Sequence, residues 1–436
     1  MAFQQALSGL RVSSNAIDAT SNNIANAATV GYKNQAAHFG DMFAAALNGS
    51  GASQIGIGAN LLAVQQQFTQ GNITTTNNPL DIAINGGGFF RMSNNGAITY
   101  SRNGQFHLDK DGFIVDDLDR NLTGYGTVNG IISQSIAPLQ VSAAFLSPQA
   151  TGQNPSAAYN GVRVGINLDS RADVPVSPWV NGGAPGDTTS YTPDPTTYNW
   201  RTSLDVYDSL GNPHNLAFYF VKTATPGEWE VYTSVDGTTN QNSGGPGPLG
   251  TLTFDNMGRL TGGSPMAASI DLDNLMVSQG QVNSALSPLA FNIDFAETTQ
   301  FGTNSGLNKF GLQQDGYAPG SFTGITVSPD GVVQVSYSNG QTVPTGQVIL
   351  ADFANPNGLR AIGNNQWVET SESGPPMLDI AGTSGRGALQ AMAVEESNTD
   401  LTQELVNLIT FQRNYQANAQ SIRTQDAIMQ TIVSLR

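Results

Sequence analysis

Between Gly9 and Gly31, and again between Gly387 and Arg436, the chain has neither glycine nor proline, although it carries 49 and 21 of them. Both stretches repeat apolar residues every seven positions. Near the N-terminus, Phe3, Leu10, Ile17 and Ile24 make one line, and Leu7 starts a second that fades into Ser14, Ser21 and Ala28. Near the C-terminus the line is Leu401, Leu408, Tyr415, Ile422 and Met429, with Leu405, Ala419 and Val433 four residues on. A seven-residue period marks a narrow seam on a supercoiled helix, because a straight helix drifts by ~20° per heptad. Asp400 with Gln403 reads as a capping box, and a helix from there to the end would run roughly 55 Å at ~1.5 Å per residue. The plain expectation is a hairpin in which the two ends pair. Such a pair, with so many small residues on one partner, buries too little to stand alone. It needs neighbours.

A chain of 436 residues has room for about two or three domains with proper cores. Only 11% of residues are charged, against about 25% in ordinary domains. Asn, Gln, Ser, Thr and Gly supply the polarity instead, which suits turns and extended strands. The formal charge of −16 argues against nucleic acid, since phosphate binding requires clustered Lys and Arg. That charge is uneven: residues 1–70 hold two acids and two bases, and 390–436 hold five and three. Near-neutral ends suit burial against protein, and an acidic middle suits a solvated surface. Cysteine is absent, so disulfide and thiolate chemistry are excluded. The opening "MAFQQALSGL" lacks the basic region and long apolar core of a cleaved signal peptide. No run approaches the ~20 apolar residues that span a bilayer, and no membrane insertion is expected.

The middle is β-rich. Thr202, Leu204 and Val206 alternate before a Gly-Asn-Pro turn, and Leu216, Phe218 and Phe220 alternate after it. In 327–343, Pro-Asp-Gly and Asn-Gly turns bracket another strand. Such spacing implies sandwiches or partly open barrels. The low-complexity stretches 178–198 and 238–250 read as surface loops. "NGGGFF" (85–90) lacks the Lys-Ser/Thr ending of a phosphate loop and reads as a turn between strands. "HLDKDGFIVDDL" (107–118) puts His107 and Leu118 at the key ligand positions of a calcium loop, so a hairpin turn is the better reading. His38, His107 and His214 show no metal spacing. Trp179, Trp200, Trp229 and Trp367 read as core residues rather than a sugar platform. Asn72-Ile-Thr74 and Asn121-Leu-Thr123 match a glycosylation acceptor, a pattern frequent by chance. No catalytic constellation emerges, although scattered carboxylates leave open the rival class of an exported glycan-active β-protein.

The two ends together, "NNIANAATVGYK" (22–33) and "SNTDLTQELVNLITFQRNYQANAQSIRTQDAIMQTIVSLR" (397–436), resemble the axial proteins of the bacterial flagellum. Within that group "PLDIAINGGGFFRM" (79–92), "YSRNGQFHLDKDG" (100–112), "GQVILADFANPNGL" (346–359) and "SLDVYDSLGNPHNLAFYFVK" (203–222) resemble the hook-protein family. Distal-rod proteins share the inner motifs but are much shorter. The resemblance implies a structural subunit, not an enzyme and without cofactor or metal, that forms a hollow helical homopolymer outside the cell. It further implies a universal joint between rod and filament, and partners among the distal rod protein, hook cap, hook–filament junction proteins and export apparatus. Export without a cleaved signal belongs to the same expectation. The runner-up within the family is another rod-type or hook-associated subunit. The expected fold is mainly β with terminal α-helices, in nested parts. Residues 1–30 and 397–436 would form an inner helical coiled-coil layer, with 31–71 and 380–396 as connectors. Residues 72–146 and 294–379 would form an inner β domain, and 147–293 an outer β domain inserted into it. The seam residues named above are the expected subunit interface. Asn22, Asn23, Asn26, Gly31, Tyr32 and Lys33 carry the family motif at the connector, Gly31 as a helix stop and Tyr32 as an anchor against a neighbour.

Overall fold

The computed structural model describes residues 2–42, 56–128, 130–142, 145–154, 159–180, 193–237 and 247–434. Much of the loops expected at 178–198 and 238–250 lies outside these residues. The fold is mainly β with a helix at each end. The chain divides into two compact units: unit 1 takes Met1–Ser142, Ile325–Val335 and Val343–Arg436, and unit 2 takes Ala143–Gly324 and Ser336–Thr342.

In unit 1 a mixed-length antiparallel sheet runs through Thr342–Asp352, Asn121–Val128, Phe89–Asn94, Ala97–Ser101, Gln366–Val368 and Arg360–Gly363. One face carries an aromatic core of Phe89, Tyr100, Phe353 and Trp367 with Phe68 packed on it. The rings meet edge to face, Phe89 to Trp367 at 5.7 Å and Tyr100 to Phe353 at 4.8 Å between centroids, the arrangement their quadrupoles favour. Two ribbons then bind the late chain to the early chain. Ala388–Ala391 pairs with Ile82–Asn85, and Ala393–Glu395 pairs with Ile73–Thr75, both antiparallel. The "NGGGFF" turn follows directly, with Gly86 and Gly88 at positive φ. In the 107–118 hairpin, one Asp109 carboxylate oxygen accepts the N–H groups of Asp111 (2.9 Å) and Phe113 (2.7 Å). That carboxylate is used to build a turn. A separate two-stranded ribbon, Gln35–Met42 with Gly58–Gln66, lies against the N-terminal helix.

Unit 2 is a sandwich of two five-stranded sheets. One is a meander whose first hairpin pairs Tyr207 with Pro213 and Trp200 with Phe220, so Leu204, Val206, Leu216, Phe218 and Phe220 face inward together. The other is centred on Gly161–Asp169, which pairs in parallel with Leu289–Asp294 and Thr299–Phe301 and antiparallel with Gly306–Gln314. Trp229 is fully buried in the shared core, and Trp200 packs at its margin. Trp179 instead stacks on Tyr232 over the opposite face of the meander, 4.5 Å between centroids.

His214, buried on the meander, leads to an expected pH dependence of this unit. Its Nδ1 lies 2.8 Å from Asp236 Oδ2, and its Nε2 lies 3.7 Å from Asp208 Oδ2. Burial alone would lower the imidazole pKa, but the bond and charge of Asp236, with Asp208, raise it above its usual value. Burial likewise opposes the Asp236 carboxylate, yet His214 and the Asn215 N–H hold it below the carboxylate range. A raised histidine contributes stability below the unfolded pKa of about 6.5 and loses it as pH climbs through the folded value. A lowered aspartate contributes above about 4 and loses it on acidification. Unit 2 should therefore melt highest near pH 5–6 and fall on the way to pH 9, by about 2–4 °C per kcal/mol lost. Calorimetry of His214→Gln should show a flatter profile over that range.

Candidate assembly surface and the neck beneath it

The N-terminal helix, Ala2–Ala25, carries two seven-residue patterns side by side. The residues it buries within the chain are Ala6, Ser13, Ala16, Thr20 and Asn23. With Gly9 they follow alternating steps of three and four, the spacing of a heptad seam, but with small side chains. Small residues permit close approach to the C-terminal helix: a Cβ on Gly9 would stand 2.7 Å from the Asn418 side chain. The apolar lines of the sequence point elsewhere. Phe3 is 51% exposed and Leu7 is exposed, while Leu10, Ile17 and Ile24 are half-buried. The ends do pair, and the side chains the N-terminal helix buries most completely are the small ones, beside the half-buried apolar line.

The C-terminal helix, Leu401–Ser434, is 34 residues long. Asp400 caps it, its Oδ1 accepting the N–H groups of Thr402 (2.9 Å) and Gln403 (3.2 Å). The expected second arm of a capping box is replaced, because the Gln403 side chain reaches forward to Asn407 Oδ1 at 3.1 Å. Among its described residues none is buried. Leu408 and Ile422 are half-buried, whereas Leu401, Leu405, Tyr415, Met429 and Val433 are exposed, as are Val406, Ile409 and Ile428 off the predicted lines. Glu404, Asn407 and Phe411 share a shallow groove with Ala16, Ala19 and Thr20 of the N-terminal helix.

The motif "ANAATVGYK" forms the neck below these helices. Asn23 is almost wholly buried: its Oδ1 accepts the Gln35 N–H (2.8 Å) and the Tyr32 hydroxyl (3.0 Å), and its Nδ2 donates to Gln35 O (2.9 Å). Asn22 Nδ2 donates to the same hydroxyl at 3.2 Å, and Asn26 Nδ2 turns back to Asn22 O at 2.9 Å. Tyr32 is thus an internal anchor rather than a contact left for a neighbour. Burial, with Glu404 adding repulsion, pushes its hydroxyl up to about 12. Gly31 does not stop the helix, which ends six residues earlier at Ala25. Its φ is +70°, and its N–H donates to Glu395 O at 2.7 Å.

Sequence reasoning missed what Lys33 does. Its ammonium is buried and bonds Glu395 Oε1 (2.6 Å) and Thr69 O (2.7 Å). Arg102 reaches the other carboxylate oxygen at 3.1 Å and Gly86 O at 2.9 Å. Burial lowers the pKa of both cations, and Glu395 opposes that in both. Asn398 completes the junction: its Oδ1 accepts the Asn34 N–H (2.8 Å) and its Nδ2 donates to Gln67 O (2.7 Å). No group of three or more His, Asp or Glu able to hold a metal occurs among the described residues.

Family models match the chain in four segments. Residues 3–33 match the flagella basal body rod protein, and 83–144 the flagellar hook protein FlgE/F/G D1 domain. Residues 167–317 match the flagellar basal body protein FlaE D2 domain, and 390–435 the flagellar basal body rod FlgEFG protein C-terminal segment. Paired ends of this kind around nested β segments define a flagellar axial protein of the rod and hook class. Over its whole length the chain is 39% identical to the flagellar hook protein FlgE of Escherichia coli (strain K12), with 100% of both chains covered. It is 37% identical to that of Salmonella typhimurium, again over 100% of both. The chain belongs to the flagellar hook protein family. In fold it resembles the crystal structure of Helicobacter pylori flagellar hook protein FlgE2, with a TM-score of 0.51 at 14% identity over 74% of this chain and 100% of that one.

Proposed function

We propose that the chain is a structural subunit of the flagellar hook, polymerising with copies of itself into a hollow helical tube that bends while it transmits torque. The C-terminal helix carries this reading. A helix of 34 residues with exposed leucine, isoleucine and valine on several sides gains little from its own chain. Most of these side chains are already about half covered, so covering the rest with a neighbour adds about 1 kcal/mol each, roughly half the value of full burial. The interface is assigned to Phe3, Leu7, Leu10, Ile17 and Ile24 with Leu401, Leu405, Leu408, Tyr415, Ile422, Met429 and Val433. Residues 1–30 and 397–436 form the inner layer in this reading, and the β parts lie outside it. Distal rod protein, hook cap, junction proteins and the export apparatus are its proposed partners, and export proceeds without a cleaved signal. The relatives are structural hook proteins, and no catalytic role is assigned.

Electron microscopy of the purified chain, concentrated and seeded with hook fragments, should show ordered tubes, and cells lacking it should lack hooks. Cells that keep normal hooks without this chain would overturn the assignment, as would turnover of a glycan abolished by one carboxylate substitution.

A further inference from the structure

We propose that Glu395 is a completion lock: the neck, residues 22–35, docks on the rest of unit 1 only once the C-terminal arm, from Glu395 onward, is in place, because that arm supplies the carboxylate that neutralises Lys33 and Arg102. Lys33 lies 362 residues before Glu395, and Arg102 lies 293 before it. All three are buried, and the side chains of Lys33 and Glu395 have no solvent exposure. Two cations converge on one anion. Asp352 adds only a longer-range attraction to Arg102, and among the described residues no other carboxylate lies within ion-pair distance of either cation.

The neck's backbone bonds depend on the same arm. Gly31 N–H ends on Glu395 O, and Asn34 N–H ends on Asn398 Oδ1. Without the arm, docking would bury an ammonium beside a guanidinium with no counter-charge, which is strongly unfavourable. A chain without its last forty or so residues therefore keeps its neck undocked. The lock makes two distant segments one condition. An apolar residue at position 33 would relax that condition by removing one of the two cations that need Glu395, while the Gly31 and Asn34 N–H bonds would still wait on the arm.

The two-to-one charge ratio gives the test its asymmetry. Amide hydrogen exchange of the full-length chain is compared with that of Lys33→Met and Glu395→Gln. Removing the lone anion should speed exchange at Gly31, Asn34 and Gln35 by about a hundredfold or more. Removing one cation leaves a balanced pair, so Lys33→Met should speed it by about tenfold or less. Amides of residues 216–222 in unit 2 should be unchanged in both. Equal acceleration by the two substitutions would overturn the proposal, because packing and not charge would then hold the neck. Should Glu395→Gln leave all of unit 1 unprotected, the double variant Lys33→Met/Glu395→Gln decides. It carries one uncompensated cation instead of two and should regain protection, and failure to regain any would likewise overturn the lock.

Discussion

Chains carrying Leu405→Asp are expected to fold, melt and stay soluble like the native chain, and to build no hook. Leu405 is 45% exposed in the isolated chain, so the substitution touches no packed core. Changes at such positions usually stay within about ±0.5 kcal/mol, and the lower helix propensity of Asp adds a cost of similar size. In the polymer proposed above its place is different. An unpaired carboxylate moved from water into an apolar contact costs several kcal/mol, or takes up a proton and still fits poorly. The defect recurs in every subunit, so it multiplies along the lattice. Calorimetry should show unchanged transitions for both units, while sedimentation and microscopy show no polymer and the cells do not swim. Gln403→Asp, exposed and polar from the start, serves as the control and should assemble. Leu408 is less clean because it is already half-buried in the chain. Normal hooks built from the Leu405 variant would remove this line from the interface.

That variant also shows where the sequence was informative. A seven-residue period over glycine-free ends allows little except long helices, and both formed. The hairpin at 200–222 was legible because alternation on each side of a Gly-Asn-Pro turn sets the register, and Leu204, Val206, Phe218 and Phe220 fell on one face. The choice of face on the N-terminal helix was not legible. Ala6, Gly9, Ser13, Ala16, Thr20 and Asn23 keep the spacing of a seam without its hydrophobicity, so periodicity in apolar residues looks past them. Close backbone approach selects small side chains, and no hydropathy pattern reports it.

The neck was hidden for a different reason. Glu395 is one of five acids in the last stretch, and nothing local ties it to a lysine at 33 or an arginine at 102. The available signal was scarcity: Lys33 is one of two basic residues in the first seventy, and a rare charge beside buried apolar positions calls for a partner. Likewise, local alternation cannot reveal that Gly161–Asp169 takes its sheet partners from 289–314. Parallel neighbours require a crossover, so the pairing strands are distant in sequence.

Gly31→Ala should cost unit 1 far more than an ordinary glycine substitution at the same backbone angle. Gly31 sits at φ +70°, where an L side chain is strained by roughly 1 kcal/mol. The larger penalty comes from space. An added Cβ would stand 2.6 Å from Asn103 N and 2.8 Å from Arg102 C, both rigid backbone atoms. Overpacking of this kind costs about 1–3 kcal/mol, and here it pushes the neck off the residue whose guanidinium holds Glu395. Gly382 is the matched control, at φ +78° in the same unit with nothing within 4 Å of an added Cβ. Gly382→Ala should lose only the angular cost, a few °C at about 2–4 °C per kcal/mol. Gly31→Ala should lower the unit 1 transition by roughly 5–10 °C on the same scale, leave unit 2 where it was, and expose Lys33 and Tyr32 to solvent. Faster exchange at Gln35 together with tyrosine fluorescence that becomes quenchable would report that exposure. Two variants that melt together would mean that the neck does not rest on the 102–103 backbone, and the tight crossing would then play no part in holding the N-terminal helix.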